Sequence, residues 1–189
     1  MDNKLLVRLS VIGSQQAAST QRTNVEINQI FDYCATYPAN GILYRSRDMV
    51  LCAHSDAGFH NESKVRSRVG AHIFLSDNDA MSRCNSPVLT LAQIIKFVMS
   101  SASEAELGAI FMTAQDMVAM RHTLEEMKWT QLKSPIQTDN SATVGVVHNT
   151  IVPRKLNTMD RHLHWLRCRE AQGQFRYYWA SGNLNWGGL

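Results

Sequence analysis

Residues 103–127 constrain the fold most. Leu107, Ile110, Phe111, Ala114, Met117, Val118 and Leu124 fall on one face of a single long helix. Ser103 with Glu106 three positions later fits a capping box at its start. So broad an apolar face must be buried against something, and the neighbouring segments read as strands. Met49-Val50-Leu51-Cys52-Ala53 is a short apolar run flanked by charge, which suits a buried strand. It runs into His54-Ser55-Asp56-Ala57-Gly58, a polar cluster with a turn glycine. Val69, Ala71, Ile73 and Leu75 alternate as a second strand, and residues 76–86 are turn chemistry. Residues 88–91 and 94–99 predict a strand pair, with helix as the competing assignment. After the long helix come a strand over 134–138, a small helix over 141–148, a basic and aromatic helix, and a strand over 175–179. Three strands, a helix, a strand, two helices and a strand imply a mixed sheet with helices packed on it.

Ahead of this lies a different pattern. Leu5, Leu6, Leu9 and Ile12 recur at helical spacing until Gly13-Ser14-Gln15-Gln16 interrupts them. Asn24 is placed to cap a second helix carrying Ile27, Ile30, Phe31 and Cys34, which ends before Pro38 and Gly41. The reading is therefore two parts: a helical connection segment over 1–41 and an α/β domain over 42–189.

Hydrophobic residues make up 44% and charged residues 19% of the 189 residues, which excludes disorder, collagen and coiled-coil arrays as whole-chain descriptions. The net charge of +3 is too small to argue for nucleic acid by itself. Cys34, Cys52, Cys84 and Cys168 are far apart and none forms a CxxC pair, so neither a zinc site nor a disulfide framework is expected. Arg8 interrupts the N-terminal apolar run too early for a signal peptide, and no stretch approaches the ~18 apolar residues of a membrane span. The expectation is a soluble intracellular chain.

Three acids stand at comparable places: Asp56 closing the first strand, Glu106 in the first turn of the long helix, and Asp139 closing a later strand. Each has a plain structural reading, as a turn aspartate, a capping-box glutamate and a helix-capping aspartate. In an open α/β sheet, however, strand ends and helix starts on one edge are where ligands gather. Three converging carboxylates repel unless a divalent cation neutralises them. Oxygen ligands without His or Cys point to Mg²⁺ or Mn²⁺. The chemistry such clusters serve is two-metal phosphodiester hydrolysis.

His-Ser-Asp-Ala (54–57), Ser-Arg-Val-Gly-Ala-His-Ile-Phe-Leu (67–75), Met-Ser-Ser-Ala-Ser-Glu-Ala-Glu-Leu-Gly-Ala (99–109) and Gln-Thr-Asp-Asn-Ser-Ala (137–142) resemble the ribonuclease H region of copia-type retrotransposon polyproteins. Pro153-Arg154-Lys155, Met159-Asp160-Arg161 and His164-Trp165-Leu166-Arg167 are similar to the late segment of that family. The upstream helices resemble the tail of the reverse transcriptase and its connection.

The resemblance implies a ribonuclease H-like mixed five-stranded sheet flanked by helices, with a short N-terminal helical extension. It implies hydrolysis of the RNA strand of RNA–DNA hybrids during retrotransposon replication. Two Mg²⁺ (or Mn²⁺) ions are held in the family by four acids, of which Asp56, Glu106 and Asp139 match the first three. Glu104 lies nearby and faces elsewhere. Asn140 and Ser141 match positions that approach the RNA. The fourth acid is missing: Gly188 stands at its expected place. That loss impairs the second ion and hence the activity, or makes the chain a catalytically dead remnant with at most weak nucleic-acid binding. An integrase core is the third reading, disfavoured because integrases place their glutamate last in the chain. Implied partners are the hybrid and the reverse transcriptase domain of the same polyprotein, with no membrane. The implied location is a cytoplasmic retroelement particle, with the nucleus as the other compartment.

Two further sets of residues have a functional and a structural reading. His54, His162 and His164 are candidates for proton transfer, with packing the plainer role. Arg154, Lys155, Arg161, Arg167, Arg169 and Arg176, interleaved with Trp165, Phe175, Tyr177, Tyr178 and Trp179, fit a phosphate-tracking surface. Lys64, Arg66 and Arg68 form a second basic cluster. The alternative is aromatics in the core and arginines on a solvated face.

Overall fold

The computed structural model describes residues 5–62, 65–96, 98–151, 159–185 and 187. The chain divides into two compact units, Met1–Tyr44 and Arg45–Leu189. In the first, helix α1 (Leu6–Ser14) leads through a 3-10 turn (Gln16–Ala18) to α2 (Gln21–Thr36). The cap of α2 is Thr20 rather than Asn24. Thr20 has an extended backbone, its hydroxyl accepts from Thr23 N–H, and the Thr23 hydroxyl accepts from Thr20 N–H. This reciprocal pair satisfies two amides that the first turn leaves over, one turn earlier than Asn24 would.

The second unit is a five-stranded sheet ordered β3-β2-β1-β4-β5. Its strands are β1 (Val50–Glu62), β2 (Arg66–Ser76), β3 (Pro87–Ile94), β4 (Ser134–Thr138) and β5 (Phe175–Trp179). The β1/β2 and β2/β3 pairs are antiparallel, while β1/β4 and β4/β5 are parallel. The helices are α3 (Ala102–Glu126), α4 (Ser141–Val147) and α5 (Asp160–Ala171). This is the mixed five-stranded, helix-flanked sheet expected, with a helical segment before it.

Strand alternation sorts the side chains of β1 and β2. Leu51, Ala53, Val69 and Ile73 join Leu107, Ile110, Ala114 and Met117 of α3 in the main core, while Val50, Cys52 and Phe74 form a small cluster of their own. Leu51, Ile73 and Ile110 are fully buried, each contributing about 1.5–3 kcal/mol.

Two buried polar residues fix how β4 leaves α3. Arg121 donates to the carbonyls of Gln131 and Leu132 and to the Ser134 hydroxyl. Gln131 accepts from Leu51 N–H and donates to Met49 O, tying the start of β1 to the approach of β4. The two strands that carry Asp56 and Asp139 are thus placed beside each other before either acid is reached.

Three local expectations are corrected. The strand expected over 94–99 is not found among the described residues: β3 ends at Ile94, residues 95, 96, 98 and 99 lie outside any strand, and Ile95 and Met99 are in the core. Phe97 lies outside the described residues. Strand β1 does not stop at Asp56 but continues through it to Glu62, because β2 pairs with it there, Asp56 opposite Gly70. The cap of α3 is Ser101, not Ser103: its hydroxyl accepts from Glu104 N–H, and the Glu104 carboxylate accepts from Ser100 N–H. Glu104 therefore does the capping assigned to Glu106, and Glu106 is left for other contacts.

Candidate metal centre

Asp56 sits within β1, Glu106 in the second turn of α3, and Asp139 immediately after β4. One carboxylate oxygen from each lies within 4.8 Å of the others. Asp56 is half-buried, Glu106 is 6% exposed and Asp139 is exposed, so the group grades from the interior to the surface.

Glu106 is held at both oxygens. Oε1 accepts from Ala57 N–H at 3.1 Å and Oε2 from the Thr138 hydroxyl at 3.2 Å. Each donor neighbours one of the aspartates, so the glutamate bridges β1 and β4. Burial, together with the charges of Asp56 and then Asp139, pushes its carboxyl up to about 8. Burial and the Asp56 charge also raise Asp139. Without a cation, the cluster keeps a proton on Glu106 at neutral pH because a third negative charge there has no counter-charge.

The donor set fits a hard divalent cation. It is all carboxylate oxygen, graded toward solvent, with no His or Cys joining the group among the described residues. The fourth position, Gly188, lies outside the described residues.

Asn140 caps α4, its side-chain oxygen accepting from Thr143 N–H, and its own N–H donates to the Thr138 hydroxyl. Ser141 is the exposed first residue of that helix. His54 shares the strand with Asp56 but is 2% exposed and packs edge-on against Phe74, and burial holds its imidazole down at about 4. His162 packs on Phe111, and His164 meets Cys168. None of the three joins the carboxylates.

The phosphate-tracking surface is corrected for most of its arginines. Arg167 donates to the carbonyls of Val146 and Val147, closing the end of α4. Arg176 donates to Asp79 O and Ala80 O. Arg169 stacks on Trp165 and bonds Gln174, and Arg68 is buried with a bond to Ala92 O. Arg167, Arg176 and Arg68 are thus spent on backbone carbonyls and Arg169 on Trp165 and Gln174, where the several fixed donors of a guanidinium are useful. Lys64, Arg154 and Lys155 lie outside the described residues. Phe175 and Tyr177 are core, whereas Trp179 is 53% exposed.

Four residues around the carboxylates are not among the site residues expected from the sequence. Thr138 donates to Glu106, and Trp179 Nε1 donates to Asp139 O at 2.9 Å. Gly182 packs against the Asp139 carboxylate, and Asn185 donates to Ser55 O, next to Asp56. Thr138 lies inside the Gln-Thr-Asp-Asn-Ser-Ala motif and Trp179 in the basic and aromatic set, whereas Gly182 and Asn185 lie in no motif.

No protein-family model and no curated sequence matches the chain. Among solved structures it is similar to LC11-RNase H1, isolated from compost by a metagenomic approach. The identity is 10% and the TM-score 0.53, over 71% of this chain and 86% of that one. The same enzyme in complex with an RNA/DNA hybrid gives 10% identity and a TM-score of 0.53, over 72% and 88%. The N-terminal RNase H domain of a Mycobacterium tuberculosis protein gives 14% identity and a TM-score of 0.49, over 72% and 86%. Together with the strand order, the likeness to the compost enzyme establishes that this chain has a ribonuclease H-like fold.

Proposed function

We propose that this chain is a metal-dependent nuclease that hydrolyses the RNA strand of RNA–DNA hybrids. The observation that carries this reading is the meeting of Asp56, Glu106 and Asp139, from two strands and a helix, within 4.8 Å. On this reading Asp56, Glu106 and Asp139 would hold Mg²⁺ or Mn²⁺, the second ion of the pair more weakly for want of a fourth acid, and the chemistry supplied would be activation of the attacking water and stabilisation of the leaving oxygen. Glu106 would give up its proton as the cations arrive, and its two hydrogen bonds to Ala57 and Thr138 would keep it aimed between the aspartates. Asn140 and Ser141, beside Asp139 and at the start of α4, would approach the ribose, whose 2′-hydroxyl distinguishes RNA from DNA.

The biological setting follows from the copia-type motifs. The reading places the domain next to a reverse transcriptase in a retroelement polyprotein, acting on the hybrid made during reverse transcription. The site of action would be a cytoplasmic element particle or the nucleus. With Gly188 where the family has an aspartate, activity should be low.

The test is cleavage of a labelled RNA–DNA hybrid by the 189-residue chain in each metal, with Asp56→Asn and Asp139→Asn beside it. Mn²⁺-dependent cleavage lost in both variants is the expected result. Cleavage unchanged by those substitutions would refute the site. Saturable Mn²⁺ binding without any cleavage would establish the remnant reading instead.

A further inference from the structure

After β5 the chain does not leave the sheet. It makes a 3-10 turn (Gly182–Leu184) and crosses the strands that carry the two aspartates. Gln137 of β4 donates to Leu184 O at 2.9 Å, and Asn185 donates to Ser55 O of β1 at 2.9 Å. The Asn185 side-chain oxygen accepts from Gly187 N–H at 3.0 Å. Gly187 lies so close to β1 that a Cβ there would sit 2.6 Å from His54 O. Leu184, Asn185 and Gly187 are thus fastened to β1 immediately before Asp56 and to β4 two residues before Asp139.

The same segment also lies beside a carboxylate. A Cβ at Gly182 would stand 3.1 Å from Asp139 Oδ2, closer than packed Cβ atoms ordinarily approach. Trp179 Nε1 fixes the Asp139 carbonyl at the end of β5. Asp139 is exposed, and apart from its own backbone N–H the neighbours of its carboxylate at the strand end are few, so a wall on its outer side bears on whether it turns toward Asp56 and Glu106.

We propose that Gly182–Asn185, together with Gly187, form a positioning strap for the metal centre. Gly182 forms the outer wall that limits where the Asp139 carboxylate can lie. Asn185, bonded to Ser55 O, and Leu184 O, bonded to Gln137, hold that wall to β1 and β4 just before the two aspartates. The proposal rests on the metal-centre reading above. Groups that orient metal ligands typically matter by ~10–100-fold in affinity when removed. Gly182 is exposed, in a turn whose backbone any residue can adopt, so an added methyl there acts on Asp139 rather than on folding.

The experiment is Mn²⁺ titration of the full chain, followed by the electron paramagnetic resonance signal of free Mn²⁺. Gly182→Ala, Asn185→Ala and Asp139→Asn are compared, with the unfolding midpoint of each measured in chelator. Gly182→Ala is expected to weaken Mn²⁺ binding about tenfold while its metal-free midpoint stays that of the parent. Asn185→Ala is expected to weaken it at least as much. Gly182→Ala binding within twofold of the parent overturns the strap, even where Asp139→Asn abolishes binding and the metal centre stands. If the parent binds no more Mn²⁺ than Asp139→Asn, the metal-centre reading itself has failed. Should Asn185→Ala not fold, Gly182→Ala alone decides.

Discussion

Replacing Glu106 by Gln should make the metal-free protein more stable at alkaline pH while abolishing metal binding. The glutamine keeps both contacts, its carbonyl accepting from Ala57 N–H and its amide donating to the Thr138 hydroxyl oxygen. Only the charge is lost. In the parent, the Glu106 carboxyl is raised from 4.5 to about 8, so the folded chain binds its proton more tightly than the unfolded chain does. A raised folded-state pKa contributes stability that is complete below 4.5 and is lost as pH rises toward 8, in all about 5 kcal/mol. His54 works in the opposite sense. Burial lowers it from 6.5 to about 4, so its contribution is present above 6.5 and about 3 kcal/mol is lost on acidification to 4. The two slopes largely cancel between pH 4.5 and 6.5. Above 6.5 the Glu106 contribution leads, and by itself it takes about 2 kcal/mol from the parent between pH 6.5 and 8. Glu106→Gln should be flat over that interval and should lose stability below 6.5, where the histidine is no longer offset. Urea unfolding in chelator at several pH values from 5 to 8 measures both curves. A variant that still declines by about 2 kcal/mol from pH 6.5 to 8 would refute the assignment of the raised proton affinity to Glu106.

Three further outcomes are expected. Calorimetric titration of Mn²⁺ near pH 7, in buffers of different ionisation enthalpy, should detect about one proton released per site filled, because Glu106 enters the titration protonated. Apparent affinity should rise with pH up to about 8 and then level off, and affinity independent of pH from 6 to 8 would contradict this. Ile110→Ala should cost about 2–5 kcal/mol by chemical denaturation, since Ile110 is fully buried between α3 and the sheet. Arg121→Ala should cost about 3 kcal/mol or more, because the Leu132 and Gln131 carbonyls and the Ser134 hydroxyl lose their donor. The same substitution should also weaken Mn²⁺ binding by loosening β4; a stability loss under 1 kcal/mol in urea would remove Arg121 from this role.

Wherever neighbours along the chain decide the conformation, the reading from sequence and the structure coincide. Leu107, Ile110, Ala114 and Met117 mark α3 because a 3.6-residue period survives in any context, and they are the residues that meet β1 and β2. Strand β4 over Ser134–Thr138 and strand β5 over Phe175–Trp179 are bounded by local turn chemistry and are found as read. Local chemistry misleads where two candidates lie a turn apart or less. Ser101 and Ser103 both offer a hydroxyl, and the choice of Ser101 is what releases Glu106 from capping. Thr20 and Asn24 pose the same ambiguity at α2. The arginines of α5 and β5 read as a charged surface because a sequence does not say which carbonyls a guanidinium will meet, such as Arg167 closing α4.

The amino-acid order alone determined the succession of strands and helices, the class of fold, and the three acids worth watching, since periodicity and residue chemistry are properties of short stretches. Tertiary structure decided the rest. Asp56 and Glu106 are fifty residues apart in the chain, and Asn185 reaches the Ser55 carbonyl from 130 residues away. Trp179 secures Asp139 across 40. Such meetings depend on strand order and on the parallel register of β1, β4 and β5, and these are settled by how one helix face and one sheet face exclude water together. No local pattern of residues encodes that choice, which is why the carboxylates could be listed in advance while the segment that walls them in could not.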